Sequence, residues 1–210
     1  MTPFRLCAIT DVTGRPGLTH AAAAGAALAG GAPCIQLRAK NHPAAALLAE
    51  ARAIRQAARA AGALFILNDR LDVALAAAAD GVHLGQDDLP AARARRLLPP
   101  GTLLGISTHT LEQARRAVGD GADYIGVGPV FPTSTKETGY APVGLAGLSA
   151  IAAAVAVPVV AIGGITPADA PRVIRAGAMA VALISALMAA QDITGATRAV
   201  LDRLAAEGLA

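Results

Sequence analysis

Short apolar runs recur along the chain, and each is followed by a longer alanine-rich stretch whose apolar positions repeat at helical spacing. The runs cover residues 5–10, 33–38, 63–67, 81–84, 102–107, 123–127, 158–162 and 178–183. None alternates cleanly between apolar and polar residues. That pattern suits parallel strands covered on both faces, with helices as the crossovers between them. The helical stretches carry recognisable stops and starts, such as 43–61 closing at Gly62, and 167–176 opening after Thr166 and closing at Gly177. Eight such units in 210 residues give about 26 residues each, which predicts a compact (β/α)8 TIM barrel spanning 1–210 as one domain. An open doubly wound sheet is the alternative, but no Gly-x-Gly-x-x-Gly follows the first strand. The repeated helix-to-strand junctions at Asp80-Gly81, Gly121-Ala122-Asp123 and Gly177-Ala178 fit one supersecondary unit reused around a ring.

Composition narrows the class. With 54% hydrophobic and 16% charged residues the chain has ample core material. Its least interrupted apolar stretch, 151–162, contains Pro158 and is too short to span a bilayer. Charges at Arg5 and Asp11 leave no room for a signal-peptide core, so a cytoplasmic location is expected. Cys7 and Cys34 each sit in an apolar run and are expected to be buried free thiols. The formal charge of +3 would permit a nucleic-acid partner, but five aromatic residues leave little for bases to stack on. Arginines 52, 55, 59, 93, 96, 172 and 175 fall at outward helical spacing and are expected on solvated faces.

In a barrel of this kind, working groups project from the C-terminal ends of the strands. The unusual polar residues collect there: Gln36, Arg38 and Lys40 after the second strand, Asn68 and Asp69 after the third, and Gln86, Asp87 and Asp88 after the fourth. Ser107, Thr108 and His109 end the fifth. The longest loop, 128–143, follows the sixth and carries Thr133, Ser134, Thr135 and Lys136. Gly163 and Gly164 follow the seventh strand, and Ser185 the eighth. Of the 18 basic residues only Lys40 and Lys136 are lysines, and both lie in this set. A compact ammonium suits a phosphate oxygen. Three cations (Arg38, Lys40, Lys136) facing carboxylates at Asp69, Asp88 and Asp87 read as a diphosphate site with Mg2+, which takes one or two carboxylates plus phosphate oxygens. Asp69 and Asp88 are expected to end neighbouring strands and share that ion. The structural alternatives are a salt bridge from Asp69 to Arg70, or helix N-caps at both aspartates. A second anion site is expected where Gly163-Gly164 and Ile184-Ser185 free backbone N–H groups at helix starts.

The strings GAPCIQLRAK, FILNDRLDVALAAAADGVHLGQDDLP, GISTHT, GVGPVFPTSTK, AIGGITP and ALISAL resemble, in order and spacing, the thiamine-phosphate synthase (thiamine phosphate pyrophosphorylase) family, over almost the whole of 31–187. The resemblance implies a transferase joining 4-amino-2-methyl-5-hydroxymethylpyrimidine diphosphate to 4-methyl-5-(2-hydroxyethyl)thiazole phosphate. It implies a pyrimidine diphosphate site along Gln36, Leu37, Arg38, Ala39 and Lys40 with Asn68, Ser107 and Lys136, the Leu37 and Ala39 side chains themselves facing outward. Arg38, Lys40, Lys136 and Ser107 would be catalytic, Asp69 and Asp88 would hold Mg2+, and Thr133, Ser134, Thr135, Gly164, Ile184 and Ser185 would meet thiazole phosphate. No strong base is required, so His109 need not shuttle protons, and His83, inside the fourth strand, is expected to be packed or supporting. The family's usual QLREK reads QLRAK here, so Ala39 stands where an acidic residue is common. A thiazole tautomerase of the same fold, and a non-catalytic thiazole or thiamine phosphate binder, are the rival readings. Partners are expected to be small molecules, not nucleic acid or membrane, and assembly into a homo-oligomer stays open.

Overall fold

The computed structural model describes residues 4–40, 42–135 and 139–209. Eight parallel strands close into a barrel in chain order: β1 (Leu6–Ile9), β2 (Cys34–Leu37), β3 (Leu64–Asn68), β4 (Gly81–Leu84), β5 (Leu103–Thr108), β6 (Tyr124–Val127), β7 (Val159–Ile162) and β8 (Ala180–Leu183). Helices separate them: α1 (His20–Ala29), α2 (Ala44–Ala60), α3 (Leu71–Ala76), α4 (Ala91–Leu97), α5 (Leu111–Gly119), α6 (Gly144–Ala153) and α7 (Ala170–Arg175). Then α8 (Ser185–Met188) and α9 (Ile193–Ala206) follow β8. The (β/α)8 architecture expected from the pattern is the one observed.

Alternation along each strand sorts the core into two layers. Ile35, Leu37, Phe65, Leu67, Val82, Leu84, Leu104 and Ile125 face outward and pack under the helices. Cys7, Ile9, Cys34, Ile66, Tyr124, Val160 and Ala182 fill the barrel interior. Alanine at the helix faces, for example Ala51 and Ala58 beside Leu47 and Ile54 of α2, lets helix and strand approach closely. The arginines expected on solvated faces lie there, except that Arg55 is half buried against Asp80.

At the foot of the barrel the repeated junction motif acts as a staple. The Asp80 carboxylate accepts the Phe65 N–H (2.9 Å), and the Asp123 carboxylate accepts the Leu104 N–H (2.7 Å), each aspartate reaching the strand before its own. Arg55 and Arg95 hold the two carboxylates in place. The β8–β1 junction has no crossover helix. Arg5 donates to the Met179 carbonyl (3.2 Å) below it, and Arg15 donates to the Met188 and Ala190 carbonyls (2.7 and 2.9 Å) above it.

Element ends depart from the pattern by a residue or a few. The predicted 167–176 helix begins at Ala170, because Asp169 first accepts bonds from the Thr166 N–H and hydroxyl, forming a turn ahead of the helix. Strands β3 and β5 run one residue further than expected, to Asn68 and Thr108.

Candidate functional site

At the C-terminal mouth, three cavities adjoin. An inner well of about 100 Å³ descends into the barrel, lined by Gln36, Asn68, His83, Ser107 and Tyr124 over a floor that includes Phe4, Cys7, Cys34 and Ile66. A rim cavity of about 770 Å³ over β1 and β2 is lined by Asp11, Arg15, His20, Arg38, Lys40 and His42, among others. A second rim cavity of about 400 Å³ lies over β7 and β8, between Thr133, Ser134, Thr135, Gly164, Ile184 and Ser185. Thr135 and Ile184 line all three.

Strand register sets the inward residues. Gln36 pairs with Ile66, Asn68 with His83, and Ser107 with Gly126, so consecutive inward side chains ring the well. Arg38 follows one pleat beyond Gln36. Its guanidinium, 11% exposed, donates to the Asp11 carboxylate at 2.7 Å, and the Arg38 backbone N–H donates to the Thr10 hydroxyl. One bond to Asp11 leaves most of the five guanidinium N–H groups for a ligand. Burial pushes the Asp11 carboxyl up, but the Thr13 bonds and the Arg38 charge outweigh it, so its pKa lies below the usual range. His20 bonds Thr10 (2.8 Å) and stands edge-on to His42. Burial, and then the charge of His42, lower its pKa.

Not every expected residue lies where the pattern places it. Leu37, fully buried under the helices, and Ala39, packed against the same outer layer, do face outward as expected, and Ala39 also borders the β1–β2 rim cavity. Asp69 directly follows β3 in a left-handed conformation (φ 64°), its N–H donating to the His83 carbonyl. Asp88 does not end β4. It lies four residues beyond Leu84, in a turn where its Oδ2 accepts the Gly85 N–H at 2.6 Å. Neither aspartate caps a helix, since Arg70 and Pro90 take those positions, and Arg70 pairs with Asp72 rather than Asp69. Lys136 lies outside the described residues. Lys40 is exposed on the rim.

Ser107 and His83 are joined: His83 Nε2 lies 2.9 Å from Ser107 Oγ, and Nδ1 lies 3.1 Å from the Tyr124 hydroxyl. His109 bonds the Gly128 carbonyl through Nδ1 and stacks on Tyr140 at 4.1 Å. Cys7 and Cys34 are both buried, with their sulfurs 3.6 Å apart; the bond to Cys7, with burial, pushes the Cys34 thiol well up. Sequence reasoning missed Asp11 and Tyr124. Nothing in the chain signals either, because their partners lie 27 and 41 residues away.

Thr133, Thr135 and Ser185 supply hydroxyls to the β7–β8 cavity, with Thr135 donating to Ser185 at 3.2 Å. Gly164 (φ 66°) turns there hard against the loop after β6: a Cβ would stand 2.7 Å from the Phe131 oxygen and closer still to that of Pro132. Only glycine lets these backbones meet. The arrangement offers an anion site on each side of a largely apolar well.

The family described as thiamine monophosphate synthase matches residues 6–187. A thiamine-phosphate synthase of Methanoculleus marisnigri is 52% identical over 203 residues, covering 97% of this chain and 96% of that one. One of Chloroflexus aurantiacus is 51% identical over 195 residues, covering 93% and 90%. The solved thiamine phosphate pyrophosphorylase of Pyrococcus furiosus superposes with a TM-score of 0.88 at 40% identity, covering 96% of each chain. With a family match over most of its length and relatives about half identical across it, the chain belongs to the thiamine-phosphate synthases, transferases of thiamine biosynthesis.

Proposed function

We propose that the chain, acting as one barrel domain in the cytoplasm, joins 4-amino-2-methyl-5-hydroxymethylpyrimidine diphosphate to 4-methyl-5-(2-hydroxyethyl)thiazole phosphate, releasing diphosphate. The observation that carries this reading is the meeting of the three cavities at Thr135 and Ile184. A ring in the inner well with its diphosphate over β1 and β2 then lies beside a second ring whose phosphate sits over β7 and β8.

The 4-amino group pushes electrons through the pyrimidine, the methylene C–O bond breaks with both electrons going to diphosphate, and the thiazole nitrogen closes the new C–N bond on the methylene carbon. Positioning and charge stabilisation supply the rate. Gln36, Asn68 and Ser107 orient the ring, Arg38 and Lys40 with Lys136 take the leaving-group charge, and Thr133, Ser134, Thr135, Gly164, Ile184 and Ser185 hold the thiazole phosphate. The donor set suits Mg2+: Asp69 and Asp88 are hard oxygen ligands in the loops that follow the neighbouring strands β3 and β4. Held by the two aspartates, the ion would neutralise diphosphate charge.

The test is to supply both substrates and Mg2+ and follow thiamine phosphate and diphosphate, expected in equal amounts. Asp69→Asn and Asp88→Asn should each cut turnover by about a hundredfold or more, the scale of one lost electrostatic group. Full activity in EDTA refutes the magnesium assignment, and absence of thiamine phosphate refutes the reaction.

A further inference from the structure

The inner well holds a hydrogen-bonded chain of which the proposed mechanism uses only the last member, Ser107. Tyr124 Oη, His83 Nδ1, His83 Nε2 and Ser107 Oγ follow one another at 3.1 Å and 2.9 Å across the imidazole, from β6 through β4 to β5. Space for it is built into the neighbouring strands. A Cβ on Gly105 would collide with the Tyr124 ring, and one on Gly126 would stand 3.0 Å from His83 Cε1. Two strands therefore leave out a side chain where the chain of bonds passes.

The direction of the bonds follows from the tyrosine. Tyr124 is 4% exposed among apolar residues of the barrel interior, and burial pushes its pKa well up, so the phenol keeps its proton. His83 Nδ1 is its hydrogen-bond partner. A buried hydroxyl proton without an acceptor is costly, so Tyr124 donates and Nδ1 accepts. The neutral imidazole then carries its proton on Nε2 and donates to Ser107 Oγ. Ser107 cannot send its own proton back to His83, and that proton turns into the well.

The geometry points to Tyr124 and His83 as positioning residues that fix Ser107 as a hydrogen-bond donor to the bound ring, matched to a ring nitrogen of an aminopyrimidine. This rests on the proposed reaction for the identity of the ring, but the direction of the bonds does not. Tyr124 and His83 act through Ser107 and touch no reacting atom.

Two measurements test it. In the 15N-labelled protein without substrate, His83, identified among the four histidines by the signal lost in His83→Gln, should show a protonated Nε2 and an unprotonated Nδ1; the opposite tautomer overturns the proposal. In steady-state kinetics, Tyr124→Phe should lower kcat/KM for the pyrimidine diphosphate by about tenfold, with the thiazole phosphate KM within about threefold. In a Ser107→Ala background the same substitution should change kcat/KM by less than about twofold, because the path runs through the serine. Equal effects of Tyr124→Phe in both backgrounds would show that the tyrosine only packs the core, and would overturn the positioning role. A protein that makes no thiamine phosphate refutes the reaction, while the histidine spectrum still decides the direction of the bonds.

Discussion

Replacing Gly164 by alanine puts a methyl group where the loop after β6 already lies. Two costs separate cleanly. The left-handed backbone, φ 66°, costs an L-residue about 1–2 kcal/mol. The added Cβ would also stand 2.7 Å from the Phe131 oxygen and 2.8 Å from its carbonyl carbon. These are backbone atoms of a loop pinned to β7 by the Val130 and Phe131 N–H bonds to Ile162 and Gly163, so no flexible side chain can yield. Relief requires the loop to shift, an overpacking cost of about 1–3 kcal/mol. Gly101 isolates the first term, because its φ is 85° but nothing lies within 4 Å of its would-be Cβ. At about 2–4 °C per kcal/mol for a chain of this size, Gly101→Ala should lower Tm by about 2–8 °C, and Gly164→Ala by about 2–12 °C more. The displaced loop carries Thr133 and Thr135, so Gly164→Ala should also raise the KM for thiazole phosphate at least about tenfold, leaving that for the pyrimidine diphosphate within about threefold. Calorimetry and steady-state kinetics on the two variants read both effects. Equal Tm values for the two, with both KM values unchanged, would refute the steric argument.

Strand β2 makes its own test: Ala39→Glu should leave kcat/KM within about fivefold, the scale of an exposed pair, while Arg38→Ala should remove most activity, and a hundredfold effect of Ala39→Glu in a folded protein would show that strand's faces wrongly assigned. Acid should destabilise the fold through Asp11 and Asp169. Burial raises both carboxyls, but hydrogen bonds from Thr13 and Thr166 and the charges of Arg38 and Arg172 bring them below the usual range. Their contribution is thus complete above the unfolded value near 3.9 and is lost as pH falls through the lower folded values. Tm should be flat from pH 7 to about 5 and fall below about 4, less steeply in Asp11→Asn; a Tm that rises in acid contradicts the sign.

The strands are legible because a parallel sheet covered on both faces leaves contiguous apolar runs, and eight of them at even spacing allow few closures. Their exact starts are not. Pro33 and Pro158 offer carbonyls to Leu64 and Ile125 but have no N–H to enter the ladder, so β2 and β7 begin one residue after them. The rim residues stand out because strand ends are where polar residues are otherwise unexpected. Asp88 shows the limit of that logic: it stands four residues past β4 in a turn closed by its side-chain bond to Gly85, which spacing along a strand does not encode. Asp11 and Tyr124 escape altogether, since an ion pair to Arg38 and a bond to His83 exist only once β1 meets β2 and β6 comes round towards β4.

Where β8 meets β1 the ring resembles a bracelet fastened by three clasps. Every other junction is bridged by a crossover that keeps its strands together even if their ladder bonds part; this one depends on the ladder, on Arg5 beneath it, on Arg15 above it and on α9 packed against α1, where the Thr194 hydroxyl donates to the Ala26 carbonyl at 2.9 Å. Opening there would leave all seven crossovers intact, yet it would separate Asp11 and Arg38 on one side from Ile184 and Ser185 on the other. The two arginines and the α1–α9 contact thus guard the line along which the mouth of the barrel could come apart without the rest of the molecule unfolding, and Arg15 does so from the wall of the β1–β2 rim cavity.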